Sequence, residues 1–294
     1  MGWDGVGAAD QLARSATLVA PSPRGICCGR LALAGATLSI GVPMLTYRLS
    51  VALVIAFAIP IATWNWLYPT FGYAPGTLRI AQAAVLVAAA ALVAATGLRW
   101  RDLGLGLRPL LTAAAVGAVA YAAIVLVGAV LNAAFDAGFT LFRSRYQAGA
   151  FVDNWLLTAF SEELLFAGVL FRLARGLVTP RRAWLAVGLV ALVFALWHLP
   201  GYLAIGHGPG ATIGRLGLNL ASWLIFGSIY ALSGNLWLVV VAHAGTDYGL
   251  SPLVTNEPLF GLLFMGILVA GARWARLPAP VEPAARAGGR PPPG

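Results

Sequence analysis

Between residues 49 and 273 the chain runs again and again for about 20 residues with few or no charged side chains. A helix of that length crosses the roughly 30 Å hydrocarbon core of a bilayer. Composition agrees: 60% of the 294 residues are hydrophobic and 10% charged, with a mean hydropathy of +0.84. Too few charged residues are present to clothe a water-soluble surface. The fold class that follows is an all-α, polytopic transmembrane helix bundle of about eight spans. They are expected at 49–69, 78–98, 109–133, 153–173, 183–203, 214–232, 235–250 and 257–273.

A ninth apolar segment, Leu31 to Tyr47, is short, contains Gly41 and Pro43, and is separated from the next span only by Arg48. It is expected to be interfacial or re-entrant. Residues 1–30 form a polar segment of mixed charge without the apolar stretch of a cleavable signal peptide. Residues 31–273 are read as one membrane domain, since neither a repeat nor a Pro/Gly linker divides them. The tail 274–294, rich in Pro, Ala, Gly and Arg, is expected to be disordered.

All 19 basic residues are arginine, a bias of GC-rich genomes that points to a bacterial source. The net charge of +9 does not imply a nucleic-acid partner, because the arginines fall in short inter-helix loops and in the tails. Arg99, Arg101 and Arg108 share one loop, Arg175, Arg181 and Arg182 another, and Arg273 and Arg276 follow the last span. Eight spans put all three groups on one side, with Arg14, Arg24, Arg30 and Arg48. The positive-inside rule makes that side cytoplasmic, so both termini are expected inside a bacterial inner membrane. Arg143 and Arg145 are the exception, in a longer loop on the other side. Cys27 and Cys28 are adjacent and can neither staple a fold nor complete a metal site.

Ionisable side chains inside spans are the informative residues, since each costs about 2.5–3.5 kcal/mol at a helix centre. They cluster late in the chain. Glu162 and Glu163 lie mid-span in Ala159-Phe-Ser-Glu-Glu-Leu-Leu-Phe166, His198 lies near the end of the next helix, and His243 and Asp247 share a later one. Separation by four residues places His243 and Asp247 on one helix face. Glu163 is turned about 100° from Glu162, so the two carboxylates need not share neighbours. With no arginine deep in these spans, histidines are their only basic partners at depth. Such a set suits proton exchange, as a chemical site or a proton path. A purely structural role in joining helices is the plainer alternative. His207, in the Gly-rich loop 201–214, reads as a solvated loop residue.

Three motifs carry a resemblance: Glu162-Glu163-Leu-Leu-Phe-Ala167, Phe194-Ala-Leu-Trp-His198 and His243-Ala-Gly-Thr-Asp247. In order and placement they resemble Glu-Glu-x-x-x-Arg, Phe-x-x-x-His and His-x-x-x-Asn/Asp of the CPBP family. That family comprises intramembrane glutamic endopeptidases and includes the type II CAAX prenyl endopeptidases and bacteriocin-processing proteins. The likeness covers roughly residues 150–250. It implies hydrolysis of a peptide bond without a covalent intermediate, in a cavity open to the membrane. Glu162 would be the general base, Glu163 its support, and His198 a holder of the attacking water. His243 and Asp247 would line the site where the oxyanion develops. An ionised Asp247 would repel that oxyanion, which favours an indirect role in orienting His243.

Ala167 departs from the family motif, which has Arg there. Glu163 is then protonated, paired elsewhere or reached by another arginine, and activity is in question. Besides a membrane endopeptidase acting on a peptide or membrane-protein substrate, two alternatives stay open. One is a non-catalytic membrane partner or immunity protein. The other is a proton-coupled transporter, disfavoured by the absence of inverted repeats. No cofactor is expected. Zinc or another divalent metal on Glu162, His198, His243 and Asp247 ranks lower, since no His-Glu-x-x-His helix is present.

Overall fold

The computed structural model describes residues 31–72, 74–135, 147–179, 182–250 and 257–275. Residues 1–30 with both cysteines, Arg143, Arg145, Arg181 and all but the first two residues of the 274–294 tail lie outside the described residues. Among the described residues there is helix and no strand. Two units are distinguished, Met1–Gly41 and Val42–Gly294. In the first, the backbone of 31–41 is helical. Everything that follows concerns the second.

Helix α1 (Leu31–Ala62) continues through a π-helical turn, Thr63–Leu67, into α2 (Tyr68–Phe71). Next come α3 (Pro75–Thr96) and α4 (Leu107–Phe135). The fourth helical stretch is composite: α5 (Ala148–Phe151), a π stretch Val152–Ala159, α6 (Phe160–Glu163), a π stretch Leu164–Phe171 and α7 (Arg172–Gly176). Then follow α8 (Ala183–Trp197), α9 (Leu199–Ala204), α10 (Pro209–Ser233), α11 (Leu236–Ala244) with a π turn Gly245–Gly249, and α12 (Glu257–Trp274). Among the described residues, eight helical stretches thus stand where eight were expected. Five are long and apolar enough to cross a membrane: Pro43–Phe71, Pro75–Thr96, Leu107–Ala134, Ala183–Ala204 and Pro209–Ser233.

Two local expectations are corrected. Residues 43–47 are not a separate interfacial or re-entrant piece, because α1 carries them into the first long apolar span and through Arg48 without a break. Arg48 is tolerated inside it because its guanidinium reaches the end of α3, donating to the Thr96 carbonyl at 2.9 Å. The fourth and seventh stretches are not uniform α-helices. Their π turns carry extra residues per turn and rotate the side chains that follow, a feature that recurs at functional sites.

Helix α10 packs against α8 and α12, α11 against α4, and α3 against the composite stretch at 160–171. Tyr230, Trp223, Phe166, Phe260 and Phe264 are wholly buried in the shared core. One end of the bundle is tied by polar contacts. Arg172 donates to the Asp102 carbonyl and, at 3.1 Å, to the Tyr230 hydroxyl. Asn235 donates to the Pro109 carbonyl at 2.9 Å. Gly104, at φ +78°, lies so close to the Gly234 carbonyl oxygen that a Cβ would collide with it. The loop bearing Arg99, Arg101 and Arg108 therefore shares an end with Arg172 and Arg175, as the count of spans requires. The opposite end holds the α2–α3 connection, the α9–α10 connection, and a contact in which the Gln147 N–H donates to the Tyr248 hydroxyl at 3.0 Å.

Candidate active site

The single α-helical turn Phe160–Glu163, set between two π stretches, presents Glu162 and Glu163 midway along the fourth helical stretch. Both are buried, Glu163 completely. His243 is the hub that joins them. Its Nδ1 lies 2.8 Å from Glu163 Oε1, and its Nε2 lies 3.2 Å from Asp247 Oδ2 and 4.0 Å from Glu162 Oε2. A neutral imidazole has only one N–H, so these two close contacts need a second proton, on the ring or on a carboxyl group. The ring is held flat against Phe226 of α10, with centroids 5.1 Å apart and planes at 19°.

The five residues picked from sequence stand in two ways. Glu162, Glu163, His243 and Asp247 form one contiguous cluster. His198 joins it through space rather than by contact: Glu162 and His198 line the same two cavities, of about 270 Å³ and 150 Å³. Its Nδ1 donates to the Phe194 carbonyl at 2.8 Å, the i to i−4 position on α8, which leaves Nε2 as the lone-pair nitrogen. Glu162 and Glu163, 100° apart on a regular helix, nonetheless share His243 as a neighbour. Asp247 is less enclosed than its place in an apolar stretch suggests, with 37% of its side chain exposed. His207 lies half-buried in the α9–α10 connection, its ring 5.8 Å from that of Tyr202.

Ala167 brings no charge to Glu163. Ala167 is fully buried in the apolar core. Arg172, the next arginine along the helix, turns to Tyr230 and Asp102 at the far end. Of the possibilities left open for Glu163, the structure shows pairing elsewhere, with His243. Its second oxygen, Oε2, is buried with no hydrogen-bond partner.

Other polar residues of the site escaped the sequence reading. Gln82 of α3 donates from Nε2 to Glu162 Oε1 at 3.2 Å and accepts from Ser161 Oγ at 2.9 Å. One turn away on the same face, Arg79 makes a two-pronged contact with Asp153, at 2.8 and 3.1 Å. Asn219 and Ser222 of α10 enter the wall of the smaller cavity beside His243 and Asp247. Gln82, Asn219 and Ser222 are each a polar side chain in an apolar run, the criterion that found the carboxylates. An uncharged amide or hydroxyl costs too little in a membrane helix to draw notice.

Among the described residues no three His, Cys, Asp or Glu side chains converge in a way that could hold a metal ion. Both ring nitrogens of His243 already face carboxylate oxygens. The fold and site together define a polytopic helical membrane protein with a buried glutamate–histidine cluster lining internal cavities.

The segment that contains this cluster is similar to a known family. Residues 144–249 match the family model described as type II CAAX prenyl endopeptidase Rce1-like, a likeness consistent with the CPBP family. None of the curated proteins compared with the chain matches it.

Proposed function

We propose that this protein is an intramembrane endopeptidase in which Glu162 activates the water that attacks a peptide carbonyl. The observation that carries this reading is the placement of Glu162. It is buried, yet it borders two cavities that it shares with His198, and its Oε2 lies 4.0 Å from His243 Nε2. A water held between Glu162 and His198 gives a proton to the glutamate as its oxygen bonds to the carbonyl carbon. Glu162 returns that proton to the leaving amine as the carbon–nitrogen bond breaks. His243, held at Nδ1 by Glu163, turns an Nε2–H that it shares with Asp247 toward the developing oxyanion. Asp247 acts through His243, since an ionised carboxylate at the oxyanion would raise its energy. Asn219 and Ser222 offer uncharged donors to the same wall.

No metal is needed for this sequence of steps, and with both nitrogens of His243 taken, His198 Nε2 is the one imidazole lone pair left to the cavity. Purified protein in detergent is expected to cleave members of a fluorogenic peptide library at a rate indifferent to strong chelators. Activity abolished by chelation and restored by zinc would replace glutamate-activated water with a metal-bound one.

The orphaned Glu163 Oε2 and the Ala167 beside it favour one competitor, a non-catalytic membrane partner or immunity protein that keeps the fold. Absence of cleavage across the library by well-folded protein would move the assignment there.

Orientation follows from charge. The arginine-bearing end is assigned to the cytoplasm of a bacterial inner membrane, with both termini inside. The larger cavity is bounded by Trp64, Tyr68, Gly201, Tyr202 and Ile205, residues of the opposite half. Substrate, a peptide or a segment of a membrane protein, would then enter from the non-cytoplasmic side. Gly208→Cys, in a chain with Cys27 and Cys28 replaced by serine, is expected to react with impermeant maleimide in intact spheroplasts. Reaction only in inverted vesicles would reverse the orientation.

A further inference from the structure

We propose that Gln82 is a positioning residue that assigns separate tasks to the two oxygens of Glu162, so that Oε2 is the atom that takes the proton from water. The inference rests on the endopeptidase reading and deepens it. Gln82 belongs to α3, outside the segment 144–249 that matches the family model.

The two cavities meet at the Glu162 carboxylate. Gln82 lines only the larger, with Trp64, Trp197 and Tyr202, whereas His243 and Asp247 line only the smaller. Oε1 accepts from Gln82 Nε2 and so belongs to the larger cavity's side, while Oε2 is the oxygen near His243 Nε2. With one lone pair of Oε1 taken by an N–H donor and its basicity lowered, Oε2 is the oxygen better placed to receive a proton, on the side of the smaller and more polar cavity. That cavity then holds the water, and the larger one, with its aromatic wall, holds the peptide.

The amide of Gln82 is itself fixed. Its Oε1 accepts from Ser161 Oγ at 2.9 Å, whose neighbour in sequence is Glu162; the Thr158 carbonyl, at 3.1 Å, shares the same hydroxyl proton. Flipping the amide would set its carbonyl oxygen against the carboxylate oxygen, two acceptors with no proton between them. The Arg79–Asp153 contact clamps α3 to the same composite helix one turn away. Gln82 and Glu162 are both buried, so no bulk water replaces this hydrogen bond if it is lost.

The test compares the native chain with Gln82→Met, which keeps length and volume but cannot donate, with Ser161→Ala, which frees the amide, and with Glu162→Gln as reference. Two quantities are read: steady-state peptide cleavage, and infrared titration of the carboxyl band that disappears in Glu162→Gln. Gln82→Met is expected to lower kcat on the order of 10- to 100-fold with KM changed by less than about threefold. It should also shift the midpoint of the Glu162 band, because a donor to one carboxylate oxygen is removed. Ser161→Ala should move both in the same direction by less, and decides the matter if Gln82→Met does not fold. Unchanged kcat and midpoint in a folded Gln82→Met, or in Ser161→Ala if that variant replaces it, would overturn the proposal while leaving the endopeptidase reading intact. Full cleavage by Glu162→Gln, or none by the native chain, would overturn the endopeptidase reading, while the infrared midpoint still decides the contact.

Discussion

Glu162→Gln is expected to lower kcat about 10²- to 10⁴-fold, the contribution typical of a positioned general base, while leaving thermal unfolding in detergent nearly unchanged. The separation of the two effects comes from the geometry. Glutamine keeps the shape of glutamate, and its carbonyl oxygen can still accept from Gln82 Nε2 in the position of Oε1. Its amide nitrogen, in the position of Oε2, points toward the side of His243 but cannot take a proton from water. Glu162 has no ion-pair contact closer than 4.0 Å, so removing its charge strips no partner of a short salt bridge. KM is expected to change little, since the substrate is held by the cavity walls. A variant that cleaves at the native rate would remove Glu162 from the chemistry. One that unfolds would show the carboxylate to be a structural element instead.

His243→Ala is expected to remove both activity and stability. Glu163 is completely buried, and His243 is the partner of its one satisfied oxygen. Truncation leaves that carboxyl group with neither oxygen satisfied and strips Phe226 of the ring stacked on it. Breaking a buried pair by deleting one member costs about 3–5 kcal/mol, far more than an exposed pair contributes. Replacing both members by apolar residues of similar size is often neutral, so Glu163→Leu combined with His243→Leu is expected to recover most of the loss. The double variant should remain inactive. Chemical unfolding in detergent measures the first effect and peptide cleavage the second. Equal stability of His243→Ala and the native chain would mean that the Glu163–His243 contact does not hold the bundle together.

Much of this site was legible in the linear chain, for a definite reason. A carboxylate or imidazole in a membrane helix is costly enough to be conspicuous. Glu162, Glu163, His198, His243 and Asp247 announced themselves by residue type and depth alone, and four of them form one contact cluster. The His243–Asp247 contact was also readable, because partners four residues apart meet on one helix whatever the rest of the protein does. Length and hydropathy likewise determined the helical bundle and the positions of its long spans. The alternation of arginine-rich and arginine-poor loops determined which loops lie together.

Only the tertiary structure decided how the helices address one another. Glu163 could not be assigned its partner by sequence, since His243 is 80 residues away and on another helix. Gln82 went unnoticed because its meaning lies in a carboxylate 80 residues distant, not in its own apolar surroundings. The π stretches flanking Glu162 and Glu163 belong to the same class. A hydrophobic pattern reports that a segment is helical and buried, but the added residue per turn depends on which neighbours the helix must meet. Local periodicity thus determined which residues are expensive and therefore informative. Packing across the bundle determined which of them touch, which oxygen each presents, and where a water could stand between them.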